Sequence, residues 1–521
     1  MHLGMCRIGE QESAARSIVK HLNKVLRGSL LNVVDLVLKA VVTMVLTPLM
    51  IHNLGLSGYG LWLLVMAIAS YCGLLDLGIT FTASRFAAAA IGSGNVHQEA
   101  IILQAAGRYF HRIAGVILLI SPLVVLVTGH WVPDSDHGKV QTALAIVLIT
   151  MAGRFIFRQP MVLLRAAVRH DLIALTSITR SIIQSYLMFQ VLISTSSVVG
   201  VALVQMAGEL VELFMLRCFA AGYLKDLVKP DQSAEEITQI SREMRAFAGN
   251  ISLIMLGDAM RMQTNPLIVN FHRGVEAVPV YSVGMRLLTM LQDMVSALFG
   301  GTVLAAFSQL HGAGDAKALR DAFLRYSELA AAFSACGVLG CVWLAPAFFI
   351  RWVGADFEAA SQVMLILAIP YGLYFAQYPA HNFMFSLNRS KPLAKMALYG
   401  GAASAALSFI LGGFWGINGV VAGVAIEMMV SRLVVVPLLM KIVAGVSARD
   451  YLLHHLGEAA LKTLVLPACF AYLLRGYVKA DYGQLAWVGA AYILVSALSF
   501  LLFALRREDR EIIWKKIRSL P

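Results

Sequence analysis

The sequence predicts an all-α polytopic membrane protein of about 14 transmembrane helices: two pseudo-symmetric six-helix lobes followed by two C-terminal helices. Three observations predict it. Of 521 residues, 59% are hydrophobic and 14% are charged, whereas soluble domains carry roughly a quarter charged residues. Apolar runs long enough to cross a bilayer, about 20 residues each, recur along the whole chain. Lys and Arg also alternate between the loops: most of the 42 fall on one side, and Lys139, Arg273, Arg351, Arg475 and Lys479 fall on the other. That alternation follows the positive-inside rule, with Arg112 and Arg154 assigned to the inside set. The net charge of +12 therefore orients the chain in a membrane, and no nucleic-acid partner is expected.

The chain opens with a basic segment, 1–28, which carries Arg7, Arg16, Lys20, Lys24 and Arg27 and lacks the apolar region of a cleavable signal. The N-lobe, 29–220, is read as spans 29–51, 58–80, 104–128, 141–163, 173–195 and 196–220. Gly55, Gly58 and Gly60 let the first two spans turn back tightly, since glycine accepts dihedrals that strain other residues. Trp62 stands where an interfacial aromatic is expected. An inside segment, Thr82 to Leu103, holds the small-residue run AAAAIGSG, and Pro133, Asp134 and Asp136 mark the outside turn between the third and fourth spans.

A mixed-charge stretch, 221–245, forms an inside linker whose Glu and Arg fall at helical spacing. The C-lobe, 246–440, is read as spans 246–270, 279–305, 327–350, 359–386, 394–414 and 416–440. Gly55 lies 27 residues after Gly28 and Gly274 lies 28 after Ala246, an internal symmetry with an offset of about 220 residues. Transporters are often built from two such repeats. The remainder, 441–521, holds spans 459–478 and 485–505 and a basic tail. An even number of spans puts both termini on one side, the cytoplasmic one.

The six cysteines are scattered and show no metal-ligand spacing, and no cofactor or metal site is expected. No phosphate-cradling loop, HExxH, GxSxG or CxxC is present, so no enzyme is expected. What remains is charge at membrane depth, which is costly unless paired or wetted and so marks function. Asp35 and Lys39 are four apart, Asp258 and Arg261 three apart, and Arg286 and Asp293 seven apart, each pair on one helix face. Asp76 lies near the end of the second span, Arg180 on the fifth, and Glu427 and Arg432 on the twelfth. Arg180 and Arg432, about seven or eight residues from inner ends, lie within snorkelling reach. Glu209 and Glu212, three apart, should repel unless one is protonated or a cation sits between them. Tyr371, Tyr374 and Tyr378 form a stripe suited either to packing or to stacking on a sugar.

The strings NLGLSGYGLW, SYCGLLDLG and SRFAAAAIGSG resemble the Wzx-type polysaccharide and O-antigen flippases, of the polysaccharide transport family within the multidrug/oligosaccharidyl-lipid/polysaccharide flippase superfamily. Further echoes are AAFSQLHGAGDAKALRDAFLRYSE, WVGADFEAA, SLNRSKPLAKM and FWGINGVVAGVAIEMM. The resemblance covers about the first 440 residues. It implies a bacterial inner-membrane flippase that moves a polyprenyl-diphosphate-linked oligosaccharide by alternating access. A polysaccharide polymerase complex is an implied partner, alongside membrane lipids. Lys39, Arg180, Arg261 and Arg286 are the implied cationic contacts of the diphosphate head group, lining a wet cavity. Asp35, Asp76, Glu209, Glu212, Asp258 and Asp293 are charge partners or a coupling site for H+ or Na+. A cation-coupled multidrug efflux antiporter of the same superfamily stays open, favoured by Glu209 and Glu212, as does a non-transporting scaffold for glycan assembly.

Overall fold

The computed structural model describes residues 2–76, 78–129, 136–225, 234–478 and 481–506, with side chains from residue 30 onward except at 224, 225, 234, 246 and 247. The side chains of the basic N-terminal segment, part of the 221–245 linker, Pro133 and Asp134 of the third-to-fourth turn, Lys479 and the basic tail from 507 lie outside the described residues. Every regular element among the described residues is helical. The chain divides into two compact units, Met1–Ser252 and Leu253–Pro521.

The first unit opens on α1 (His2–Gly73), which holds two expected spans and is broken at Gly55, where φ is 72° and ψ 175°. A non-glycine residue would be strained there. A short turn, Leu74–Asp76, leads to α2 (Ile79–Gly92). Then come α3 (Val96–Gly129), α4 (His137–Ile156), α5 (Gln159–Ala166), α6 (His170–Ser194), α7 (Val198–Lys225) and α8 (Ala234–Met262), within which the division falls. The alanine run proves to be α2 itself. Ala83, Ala87 and Ala90 are buried against Ile102, Ala106 and Phe110 of α3, because small side chains let the helices approach closely. α1 packs along α6, α3 along α4, and α7 lies against both α4 and α6.

The second unit takes the end of α8 and continues through α9 (Thr264–Arg273), α10 (Ala277–Phe299), α11 (Gly301–Gly312), α12 (Ala316–Val353), α13 (Glu358–Ala376), α14 (Tyr378–Ser386), α15 (Ser390–Trp415), α16 (Ile417–Val430) and α17 (Val436–Ala444). It closes with α18 (Glu458–Leu473) and α19 (Tyr482–Ser499). Its core centres on rings: Phe323 stacks on Phe383 with centroids 4.5 Å apart and on Tyr451 at 5.7 Å. Three π-helical segments, Ser431–Val435, Asp450–Gly457 and Phe500–Ala504, extend helices of this unit.

Twelve helical stretches among the described residues are long and apolar enough to cross a membrane. One of them, Leu30–Gly92, is 63 residues long, about three times what a single crossing needs, and it contains both spans expected there. The expected span 246–270 is built by the end of α8 and by α9. Asp258, Arg261, Asn265 and Asn270 make it too polar to rank with the twelve. The chain is thus a multi-pass membrane protein.

The backbone repeats the internal symmetry. Gly55 and Gly274 share φ near +75° (72° and 80°), and the residues with positive φ at Gly94, Val168 and Ser196 reappear 220 positions later at Gly314, Asn388 and Gly416. The hydrogen bonds repeat as well. Arg169 N–H donates to Leu164 O at 2.8 Å and Arg389 N–H to Met384 O at 2.9 Å. Asn95 accepts from Gln98 N–H, as Asp315 accepts from Ala318 N–H.

Candidate functional site

Each unit buries its own cluster of ions. In the first, Arg180 projects from α6 toward α7, where Glu209 and Glu212 lie one turn apart. Its Nη1 donates to Glu209 Oε1 at 2.7 Å, and its Nε lies 3.2 Å from Glu212 Oε2. Arg154, from α4, approaches Glu209 Oε1 to 3.5 Å. Gln205 donates to the same oxygen and accepts from Gln184. The cation expected between the two glutamates is therefore a guanidinium of the chain itself. Arg180 does not reach for the interface: its side chain turns inward to the acids.

In the second unit α8 delivers Arg261, only 2% exposed. Its Nε donates to Glu427 Oε2 at 2.8 Å and its Nη2 to Glu427 Oε1 at 3.0 Å, the parallel fork that makes arginine–carboxylate pairs strong. Asp258, the partner expected from spacing, takes Nη1 at 3.2 Å and has a side chain 48% exposed. Ser431 donates to Glu427 Oε1, and Arg261 O accepts from Asn265, which also reaches Tyr281. The pair has room only because α15 carries Gly400. A Cβ there would stand 2.8 Å from Arg261 Nη2 and would also collide with Glu427.

Next to this pair, Arg432 lies in the π-helical segment Ser431–Val435 and is 1% exposed. It is not a snorkelling residue. Its guanidinium carbon sits 4.6 Å from the centroid of the Tyr374 ring, and its Nη1 is 3.1 Å from His381 Nε2. Among the described residues no carboxylate comes within ion-pairing distance of it, so a ring face and an imidazole take the place of an acid. The extra residue of a π-turn re-aims a side chain without ending the helix, which suits such a position. Gln377, at the break between α13 and α14, donates to Arg432 O.

The tyrosine stripe is accounted for in the same place. Tyr374 carries Arg432, the Tyr371 hydroxyl points to Met262 S, and Tyr378 pairs with Ser296. Of the other expected residues, Lys39 is 47% exposed and donates to Asp35 at 2.7 Å; Asp35 also accepts from Ser177. Asp76 is buried and caps α2 through the N–H and hydroxyl of Thr80, which in turn accepts from Arg158. Arg286 is half-buried and Asp293 exposed on α10. Spacing revealed the short-range pairs but not Glu427 as the chief partner of Arg261, 166 residues away, nor the Arg432 seat. Among the described residues no group of three or more His, Cys, Asp or Glu side chains gathers into a metal site.

A second feature of this unit is an apolar groove of about 720 Å3 among α10, α12, α19 and the segment Phe500–Ala504. It is lined by small residues, Cys336, Gly337 and Gly340, and by larger apolar ones that include Met294, Phe348 and Leu501.

With this geometry in view, comparison with solved structures places the architecture. The lipid II flippase MurJ in an inward closed conformation matches at a TM-score of 0.66 and 14% identity, over 94% of this chain and 99% of that one. The fold is that of the MOP-superfamily transporters. An inward-facing multidrug-resistance MATE transporter matches at 0.63 and 14% identity, over 75% of this chain and 92% of that one. A MOP-superfamily transporter from Pyrococcus furiosus, described as having a binding pocket of reversed polarity, matches at 0.56 and 13%, over 81% and 95%. No family profile and no curated protein sequence matches the chain.

Proposed function

We propose that the chain is a flippase that moves a polyprenyl-diphosphate-linked oligosaccharide, a polysaccharide or O-antigen repeat unit, across the bacterial inner membrane by alternating access. Both termini would be cytoplasmic and a polysaccharide polymerase complex would be a partner. The observation that carries this reading is the apolar groove of the second unit, which has the chemistry to hold a polyprenyl chain. The ion clusters offer the complementary half: moving a charged, sugar-bearing head group through hydrocarbon is the barrier to be removed. The near-complete coverage of a lipid II flippase supports it further.

Lys39, Arg180, Arg261 and Arg286 are the proposed contacts of the diphosphate. Lys39 is more accessible than Arg180 or Arg261, and exchanging one Asp35 bond for a phosphate oxygen costs it little. Arg261 would keep its fork to Glu427 and release the half-exposed Asp258.

The test is flipping of a fluorescent polyprenyl-diphosphate sugar in liposomes holding the purified protein, read by quencher access. Lys39→Gln and Arg261→Gln should abolish flipping while insertion persists, and full activity in both would remove their assigned role. Gly489→Trp, which fills the groove, should slow flipping of the lipid-linked substrate.

The second reading, a cation-coupled multidrug efflux antiporter, rests on the membrane-depth carboxylates Asp258, Glu209 and Glu212 and on the MATE neighbours. Under that reading the chain drives gradient-dependent uptake of an organic cation, flips no lipid, and is indifferent to Gly489→Trp.

A further inference from the structure

On the first unit, α3 carries a second polar feature, separate from the ion cluster. Gln104, Arg108, His111 and Arg112 of α3, with Gln159 of α5, line a recess of about 380 Å3. Positions 104, 108 and 112 follow the helical period, so one face of α3 presents all of them. Gly107 lies beneath that face. A Cβ there would collide with the Gln159 amide, which crosses α3 at this point and donates to Leu103 O at 3.1 Å. His111 Nδ1 is fixed on Gly107 O at 2.7 Å. The floor is thus built by hydrogen bonds, while the two guanidinium groups are uncommitted. Neither Arg108 nor Arg112 has an ion pair or side-chain hydrogen bond to a described residue, and no carboxylate lines the recess.

The level of the recess follows from the rest of α3. From Val116 onward its exposed surface is apolar: Val116, Leu119, Leu123 and Leu126 all stand open, as a hydrocarbon-facing helix requires. From Gln104 to Arg112 the exposed residues are all polar: Gln104, Arg108, His111 and Arg112. Arg112 stands one turn beneath the first lipid-facing valine, where headgroups lie, on the side that carries the basic loop excess. Basic pockets between helices at that level take lipid phosphates.

We propose that this recess binds the phosphate of an anionic membrane lipid, with Arg108 and Arg112 meeting the phosphate oxygens and the Gln104 amide meeting the ester or glycerol oxygens. This site is independent of the transported substrate. It would tether α3 and α5 to the leaflet whichever transport reading holds.

The experiment is native mass spectrometry of the full chain in detergent, titrated with phosphatidylglycerol and, separately, with phosphatidylethanolamine. Phosphatidylglycerol should remain bound in preference. Arg108→Gln/Arg112→Gln should weaken it roughly twenty- to thirty-fold, and each single variant about five-fold. Arg108→Lys/Arg112→Lys, which keeps the charge, should stay within a few-fold of the parent. Should the doubly neutralised chain not fold, the two single variants carry the test. Unchanged phosphatidylglycerol binding in folded Gln variants, or equal retention of phosphatidylethanolamine, overturns the proposal. Displacement by millimolar inorganic phosphate alone would show that a free anion, not a lipid, is recognised, and overturns the lipid assignment.

Discussion

The two units build their ion clusters from the same backbone with the charges rearranged. At an offset of 220 residues, Arg180 of the first unit corresponds to Gly400, Glu212 to Arg432, and Arg154 to Tyr374. In the first unit the guanidinium comes from α6 and sits between two acids. In the second the corresponding position is empty of side chain, and the space is filled by Arg261, brought from α8, together with Glu427 from α16. Where the first unit has a glutamate, the second has a buried arginine resting on a tyrosine ring. The repeat therefore fixes where helices bend and meet, and leaves the sign of the charge at each interior position free to change.

The sharpest way to break this comparison is to remove one acid from each cluster. Glu427→Gln leaves Arg261, with almost no access to water, lacking the carboxylate it grips twice, and should cost about 3–5 kcal/mol. It should register as a large fall in thermal unfolding midpoint in detergent. Glu209→Gln should cost less, since Arg180 retains Glu212 at 3.2 Å. Equal losses would mean that the two clusters are energetically alike despite their different wiring.

Next in size, Gly400→Ala places a methyl group against Arg261 and Glu427 and should cost about 1–3 kcal/mol, the range for an overpacked interior. Gly413→Ala on the same helix, where a Cβ would meet only His272 at 3.6 Å, is the control and should be near neutral. A silent Gly400→Ala would show that the ion pair is loosely seated. The smallest effect compares the symmetric turns at Val168 and Asn388, which both have φ of 56°. A β-branched residue is costly there and asparagine is tolerated. Val168→Asn should therefore raise stability by about 1 kcal/mol, whereas Asn388→Val should lower it by a similar amount.

Much of this was legible in the sequence because membranes impose simple rules. Apolar run length gave the helices, and Gly55 with Gly274 exposed the repeat. The pairs Asp35–Lys39 and Asp258–Arg261 were legible because partners three or four apart on one helix must meet. Other parts were not. Hydropathy marks α8 and α9 weakly, since their polar residues are compensated by partners far along the chain. Snorkelling distance suggested an interfacial Arg432, but packing of α13, α14 and the π-turn buries it.

The sequence by itself determined a helical, multi-pass, two-fold repeated chain, because backbone groups in lipid must be satisfied within each helix and that requirement is local. Only the tertiary structure decided which charges hold which. Arg261 meets Glu427, Arg180 separates Glu209 from Glu212, Arg432 settles on Tyr374, and Arg108 and Arg112 take no partner among the described residues. Those outcomes depend on contacts between residues distant in sequence, and a buried charge takes whichever partner the packing brings within reach.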